Sequence, residues 1–392
     1  MKVWIVNPFD NLPMEGFRPQ RYWLMARAFV RAGHEVVYWT GDFSHATKRR
    51  REFLVDVDDG FAVEMVGTSP YRKNVCLSRV ASHRRLARDW MRLARMRGDK
   101  PDVVIASMPP LGLCAAARSY AERCGAFFVA DVQDAWPETF ERVLPRFLLS
   151  LCGLRRAAKR IYLQADAVSA VAKRYIDLVR GYGSRAPAAV FGHAIERKDS
   201  PFGEKCKDGV FRLAYIGNMS MSYDLETLVR CVSGMEGVTL DIAGNGPDRR
   251  RIETLAVSVG GTNISFHPYL AKDDLARLLS SCDAGVIPMF PDSCVGIPGK
   301  TADYATAGLK IIECLGGETA ALVDRFGAGA HYRAGDIASL RKAIDILKAR
   351  SGDWKAGDFA KSFDAVEIMD GYVEWVLGIY SRLRNPPNTD II

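Results

Sequence analysis

PMFPDSCVGIPGKTADYATAGLKII, residues 288–312, follows the apolar run Ala284–Ile287. The run reads as a buried strand, the Pro-, Gly- and Ser-rich segment after it as a loop, and from Gly299 the pattern turns helical. A strand that ends in such a loop and feeds a helix offers an anion the free N–H groups of the first turn and the positive end of the helix dipole. Lys300 falls in that first turn, with Asp303 and Tyr304 one turn on. A cation that can meet phosphate is thus followed at i+3 by a carboxylate that can accept hydrogen bonds from sugar hydroxyls. The same residues also suit an ordinary βα unit with surface charges, so the neighbouring sequence must decide.

Upstream, strands and helices alternate from Phe211. The strand Arg212–Ile216 ends in Gly217-Asn218, and the strand Val238–Ala243 ends in Gly244-Asn245-Gly246-Pro247. Glycines at strand ends let a nucleotide approach the backbone. Neither loop is a GxGxxG fingerprint, and there is no Walker A lysine loop. The pattern predicts a doubly wound α/β domain. Residues 200–209 (SPFGEKCKDG) read as a linker before it.

The first half repeats this alternation. Lys2–Asn7 reads as a strand, Arg21–Ala32 as a helix ended by Gly33, and Val36–Trp39 as a second strand, which together open another doubly wound sheet. The loop between the first strand and helix carries Gly16 and Arg18, and Arg18 and Arg21 are placed to meet an anion; solvated arginines anchoring a loop are the other explanation. Asp131 and Asp134 follow the strand Phe127–Ala130 at the same crevice. They can activate or bind an acceptor hydroxyl, or Asp134 can simply cap the next helix. His193 lies at a later strand end, where a structural role competes with a site role. Residues 45–60 read as a surface segment or hairpin, and Leu77–Arg97 and Val143–Gln164 as basic amphipathic helices.

With 392 residues, two domains are expected. Residues 1–200 carry 33 Lys and Arg against 21 Asp and Glu, and residues 201–392 carry 21 against 25. The basic half points to an anionic partner: a phosphorylated lipid, a membrane surface or nucleic acid. Without aromatic interleaving or a known motif, nucleic acid is the weakest of these. No apolar run reaches 18 residues, which excludes a transmembrane helix, and the N-terminal apolar run is too short for a signal peptide. The nine cysteines form no CxxC or zinc-type spacing, so reduced thiols and a cytoplasmic location are expected, free or peripheral on the inner face of the plasma membrane.

The ordered segments RAGHEVVYWT (31–40), LDIAGNGPDRRRIE (240–253) and IPGKTADYATAGLKII (297–312) resemble a bacterial GT-B glycosyltransferase of the family 4 type over nearly the whole chain. VADVQDAWPE (129–138) is similar to members that add amino- or deoxysugars in surface polysaccharide assembly. The resemblance implies an α/β fold of two doubly wound Rossmann-like domains facing a cleft. Residues 1–203 would bind the acceptor and residues 204–370 the nucleotide sugar, while a last helix within 371–392 crosses back to the first domain. Asp303 would hold the ribose hydroxyls, with Tyr304 beside it and Gly217 and Asn218 also contacting the donor. Lys300 and its preceding loop, with Ser293 and Gly299, would face the diphosphate, Gly244–Pro247 would lie by the nucleotide, and Leu270 by the base. Gly16, Arg18, Arg21, Asp131, Asp134 and His193 would serve the acceptor, with Asp134, Lys300 and Asp303 carrying catalysis. The implied chemistry is sugar transfer from a UDP- or GDP-linked donor to a hydroxyl of a glycan or undecaprenyl-type lipid-linked acceptor, with retention, no cofactor and no metal.

Two features depart from this pattern. The first acid of the family's Glu-x7-Glu motif would fall at Val295, with Asp292 the nearest carboxylate, and the Gly217 loop (NMSMSYDLE) lacks the usual basic residue. A sugar-nucleotide epimerase of the same shape, or a nucleotide-sugar-binding subunit without catalysis, are the competing functions.

Overall fold

Strand β1, Lys2–Val6, sits at the centre of the first sheet, and Val3, Trp4 and Ile5 have no solvent exposure. It pairs in parallel with β2 (Glu35–Gly41) on one side and β4 (Val103–Met108) on the other, so that Trp4 lies opposite both Val37 and Val104. The sheet is completed by β3 (Ala62–Val66), β5 (Phe127–Val132), β6 (Ala167–Ala170) and β7 (Ala188–Val190) in the order β3-β2-β1-β4-β5-β6-β7. Strands covered on both faces read as unbroken apolar runs, which is why β1, β2, β4 and β5 were legible in the sequence. The edge strand β3 was not: its first four residues keep exposed surface, and the partly polar AVEMV carries no core signal.

The structure, a computed structural model, describes residues 1–51, 59–71, 76–142, 153–196, 208–349 and 354–384. The chain divides into two compact units, Met1–Ala194 with Ala365–Ile392, and Ile195–Asp364. The expected boundary at 203/204, most of the linker 200–209 and the first part of the helix expected over 143–164 lie outside the described residues; that helix is described as Leu154–Gln164. Phe43, just before the segment 45–60 expected as a surface segment or hairpin, forms an antiparallel bridge with Arg50 inside it; residues 52–58 also lie outside the described residues.

One face of the first sheet is packed by aromatic rings. Trp4 stacks on Tyr120 at 5.2 Å, Trp39 lies tilted against Trp4 at 5.1 Å, and Trp90 meets Trp4 edge-on at 6.5 Å. Trp90 comes from the basic helix Leu77–Met96, whose Leu86, Trp90 and Ala94 face inward at i, i+4, i+8. The last helix, Ala365–Arg384, belongs to this unit and buries Met369, Tyr372, Val373, Val376 and Ile379 in the same core as Phe29 of the helix Arg21–Arg31.

The second unit holds a six-stranded parallel sheet in the order β10-β9-β8-β11-β12-β13, where β8 is Phe211–Ile216, β9 Val238–Ala243, β10 Ile264–His267, β11 Ala284–Ile287, β12 Lys310–Glu313 and β13 Gly329–His331. In both sheets the strand order reverses beside the first strand of the unit, which makes the crevice at the carboxyl ends there the expected ligand site. Among the described residues no helix is long and apolar enough to cross a membrane.

Candidate functional site

In the second unit the switch point lies between β8 and β11, and the helix Gly299–Thr306 starts there after Pro298. Lys300 in its first turn is only 9% exposed. Its Nζ lies 3.9 Å from the ring centre of Tyr215, at the end of β8, and 4.3 Å from that of Tyr223. That amine has no hydrogen-bond partner. Burial pushes its pKa well below the ordinary lysine value, and Asp303 one turn on pulls only partly the other way. Desolvated cation–π contacts favour the ammonium by about 2 kcal/mol or more, but burying an ion with no hydrogen-bond partner costs several even after relaxation, and burial prevails. Ser293 Oγ and Thr301 Oγ1 in the same stretch are also buried without a partner. The segment expected to face a diphosphate therefore carries three unsatisfied polar atoms, one of them an amine that an anion would charge.

The glycine loops of this unit are explained by packing. A Cβ on Gly244 would lie 2.0 Å from the carbonyl oxygen of Gly217, and one on Gly246 2.2 Å from that of Met219. The loops after β8 and β9 interlock through Met219 N–H to Asn245 O (2.9 Å) and Asp248 N–H to Met219 O (3.0 Å). The missing Cβ atoms thus admit a neighbouring backbone, in addition to any nucleotide approach the sequence led us to expect. Gly217, Asn218, Asn245 and Pro247 remain exposed at the rim, and Gly217 borders Lys300: a Cβ there would meet Nζ at 3.5 Å. Gly244→Ala is expected to lower unfolding stability by about 1–3 kcal/mol, because backbone cannot yield as a side chain can. An unchanged urea midpoint would disprove that interlock.

Tyr304 differs from its expected ligand contact. It is fully buried, its hydroxyl donates toward the carbonyls of Ala214 and Val286 (3.2 Å each) and accepts the Ile216 N–H at 3.1 Å. Its ring fills the space over Gly285, where a Cβ would sit 2.3 Å away. Tyr304 therefore pins β8 to β11 and so fixes the strand end on which Tyr215 and Gly217 stand. Asp303 is 9% exposed, Gly299 is exposed, and Leu270 is partly buried against the apolar cluster that also holds Val295. Val295 in that cluster is no substitute for an acid.

In the first unit, Arg21 and Asp131 meet each other instead of opening to a ligand. Arg21 Nε and Nη2 donate to the two Asp131 oxygens at 2.9 Å each, and Nη1 donates to the carbonyls of Phe191 (2.7 Å) and Gly192 (3.1 Å). Asp131, with no exposed surface, also accepts from Tyr22 Oη, Ser169 Oγ and Gln133 Nε2 at 2.6 Å each. Burial alone would raise this carboxyl, but the Arg21 charge and these donors outweigh it and hold the pKa below the usual value. Both residues are corrected from acceptor contacts to a buried tie between β5, the first helix and the segment carrying His193. Asp134 braces its own turn: its Oδ1 accepts from the Ala135 N–H (2.8 Å) and from Thr139 Oγ1 (3.0 Å) within the 3-10 segment Glu138–Arg142 that follows, and neither bond is that of a helix cap. Gly16 closes a short 3-10 turn, Pro13–Glu15, with φ +81°, and Arg18 and His193 are partly buried.

Two family descriptions match this chain. "Glycosyl transferase 4-like domain" matches residues 20–192, and "Glycosyl transferases group 1" matches residues 210–349. The chain belongs to the GT-B glycosyltransferases of the family 4 type. Solved structures share its fold. A sucrose-phosphate synthase from Thermosynechococcus elongatus superimposes with a TM-score of 0.74 at 12% identity, covering 97% of this chain and 99% of that one. Anabaena HepE in complex with UDP-glucose gives 0.67 at 13% (96% and 100%). WaaG, a glycosyltransferase involved in lipopolysaccharide biosynthesis, gives 0.62 at 11% (99% and 100%). No curated protein matches.

For this glycosyltransferase the sequence missed several groups at the carboxyl ends of the first sheet. Asp10, just beyond β1, keeps some exposed surface, yet the protein packed around its carboxyl pushes its pKa up to about 7; the Tyr22 N–H (3.0 Å) and the charges of Arg51 and Arg21 work against that rise. It is a carboxyl able to exchange a proton near neutral pH. Its signal was present, an acid three residues past the first buried strand. His45, Tyr71 and His83 gave no such signal, because lone residues in separate loops become a group only through the fold.

Proposed function

We propose that this glycosyltransferase moves a sugar from a UDP- or GDP-linked donor, held by the second unit, to a hydroxyl of a glycan or undecaprenyl-type lipid-linked acceptor, held by the first, with retention, in bacterial surface polysaccharide assembly. The buried, unpartnered Lys300 amine at a helix start carries this reading. A diphosphate would supply the anion that the amine lacks, and Lys300 with the first-turn N–H groups would stabilise the charge that develops on it as the sugar leaves. Asp303 would accept hydrogen bonds from the ribose. Lys300 takes the part that a metal plays elsewhere, so transfer should persist in EDTA. The UDP-glucose held by HepE supports a nucleotide-sugar donor. Arg84, Arg85, Arg88, Arg92 and Arg95 are exposed along the helix Leu77–Met96, which suits peripheral contact with an anionic inner membrane face.

A nucleotide-sugar-binding subunit without catalysis is the second reading, favoured by Val295 in an apolar cluster where the motif acid would stand. Incubation with UDP- and GDP-sugars and lipid-linked acceptors separates the two. Labelled product establishes transfer, whereas donor binding with no turnover on any acceptor establishes the subunit. Asp303→Ala is expected to abolish donor binding by calorimetry; unchanged affinity would remove Asp303 from the site.

A further inference from the structure

Five separate segments of the first unit bring aromatic rings and cationic groups together beyond its strand ends. Arg79, in the first turns of the helix Leu77–Met96, holds its guanidinium carbon 5.8 Å from the ring centres of Phe9 and Tyr71 and 5.5 Å from that of Trp136. His83, one turn on, packs against Phe9 at 5.6 Å and Trp136 at 6.1 Å. His45 binds the Tyr71 hydroxyl at 2.6 Å through Nδ1, and Lys48 Nζ lies 3.3 Å from that nitrogen and 4.9 Å from the centre of the Tyr71 ring. Phe9, His45, Arg79, His83 and Trp136 are all partly exposed, so the group is a lined surface and not a closed core.

The charges in this group crowd one another. Burial, then Lys48, Arg79 and His83, push His45 down to about 3; burial and Arg79 push His83 down to about 4 and Lys48 down to about 8. Asp134, whose carboxyl feels the Arg79 charge, is held by the Ala135 N–H and Thr139 beside Trp136. An arrangement in which neighbouring cations depress one another gains when an anion arrives, and the partly exposed ring faces offer a flat apolar surface beside that anion.

We infer that Phe9, His45, Tyr71, Arg79, His83 and Trp136 form an acceptor subsite for a sugar that bears an anionic group, a phosphate or a carboxylate. The inference rests on the proposed role of the first unit as acceptor binder. The anion meets Arg79 and Lys48, and the sugar ring lies against Trp136 and Phe9. This moves the anion-binding role that the sequence assigned to Arg21 onto Arg79, which the sequence counted only among the arginines of a basic helix.

Direct binding to the full chain without donor tests this separately from transfer. Calorimetry with glucose 1-phosphate, glucuronate, glucose and inorganic phosphate is expected to give at least tenfold tighter binding of an anionic sugar than of glucose, and weaker binding of phosphate alone because it has no ring. A preference for glucose 1-phosphate identifies phosphate as the group read, and one for glucuronate identifies carboxylate. Arg79→Gln should remove the preference while keeping the thermal midpoint and UDP affinity, and Trp136→Leu should weaken all three sugars and spare inorganic phosphate. Lys300→Met should bind these probes as wild type does. Equal binding of glucose and both anionic sugars, no binding of either anionic sugar, or a preference that survives in Arg79→Gln overturns the inference. Failure of transfer with every acceptor would instead strike the proposed function, since the probe binding is read without it.

Discussion

Lys300→Met is expected to make the protein more stable and its donor site nearly inactive. The wild-type amine is buried between Tyr215 and Tyr223 with no hydrogen-bond partner, a state that costs about 1–3 kcal/mol relative to an apolar group of the same shape. Methionine fills the same space without a polar atom, so the unfolding free energy should rise by about that amount. The same change removes a charge-assisted contact to the diphosphate, worth about 1.5–3 kcal/mol, so UDP affinity should fall about 10- to 100-fold. The pH dependence gives an independent signature. The amine's pKa lies well below the ordinary lysine value in the free protein, and an adjacent diphosphate would raise it. The bound form then holds more protons than the free form between those two values. UDP affinity should therefore decline as pH rises through that window, with proton uptake on binding, and in Lys300→Met this dependence should vanish. The folded wild type also binds fewer protons than the unfolded chain over the range below the ordinary lysine pKa, so its stability should fall as pH falls through that range, and the variant should lack this slope. Retained UDP affinity in a stabilised variant would show that the amine is merely a buried defect.

How far the site was legible depended on the range of the interactions that build it. Lys300 and Asp303 were found because a strand, a Gly/Pro-rich loop and a helix are contiguous, and their order fixes where the first turn points. The two sheets were found because parallel strands covered on both faces leave continuous apolar runs such as Val103–Ala106. Tyr304, though next to Asp303, was misassigned: a helix residue one position further turns by 100° and here faces the sheet over Gly285. The interlock of Gly217 with Gly244 is a contact between loops 27 positions apart, and local reading of glycine as a nucleotide approach could not distinguish it. The group around Arg79 was least legible, since its members lie between residues 9 and 136 and only the sheet order brings them together.

Asp131→Asn separates a buried tie from an acceptor contact more sharply than any other change in the first unit. Removing the charge from one side leaves the Arg21 guanidinium, 7% exposed, without its bidentate partner, and it turns one of the accepting oxygens into a donor facing Tyr22, Ser169 or Gln133. Breaking one side of a buried pair costs about 3–5 kcal/mol, a large part of the stability of an ordinary domain. The urea midpoint of Asp131→Asn should drop accordingly, and Arg21→Met should behave alike. If the two residues act as one unit, Arg21→Met with Asp131→Asn should cost much less than the two losses added, because the second change no longer strands a charge. Acid should have a related effect on the wild type. The Asp131 carboxyl is held below its ordinary value, so its contribution is present above the pKa of an unfolded aspartate and is lost as pH falls through the lower folded-state value. An acceptor-binding Asp131 makes the opposite forecast: Asn would keep the wild-type midpoint and acid profile, and only the affinity for acceptor would fall. The tie also holds the carbonyls of Phe191 and Gly192 through Arg21 Nη1, so its loss should reach the His193 segment, and exchange protection there should fall in Asp131→Asn even under conditions where the protein stays folded.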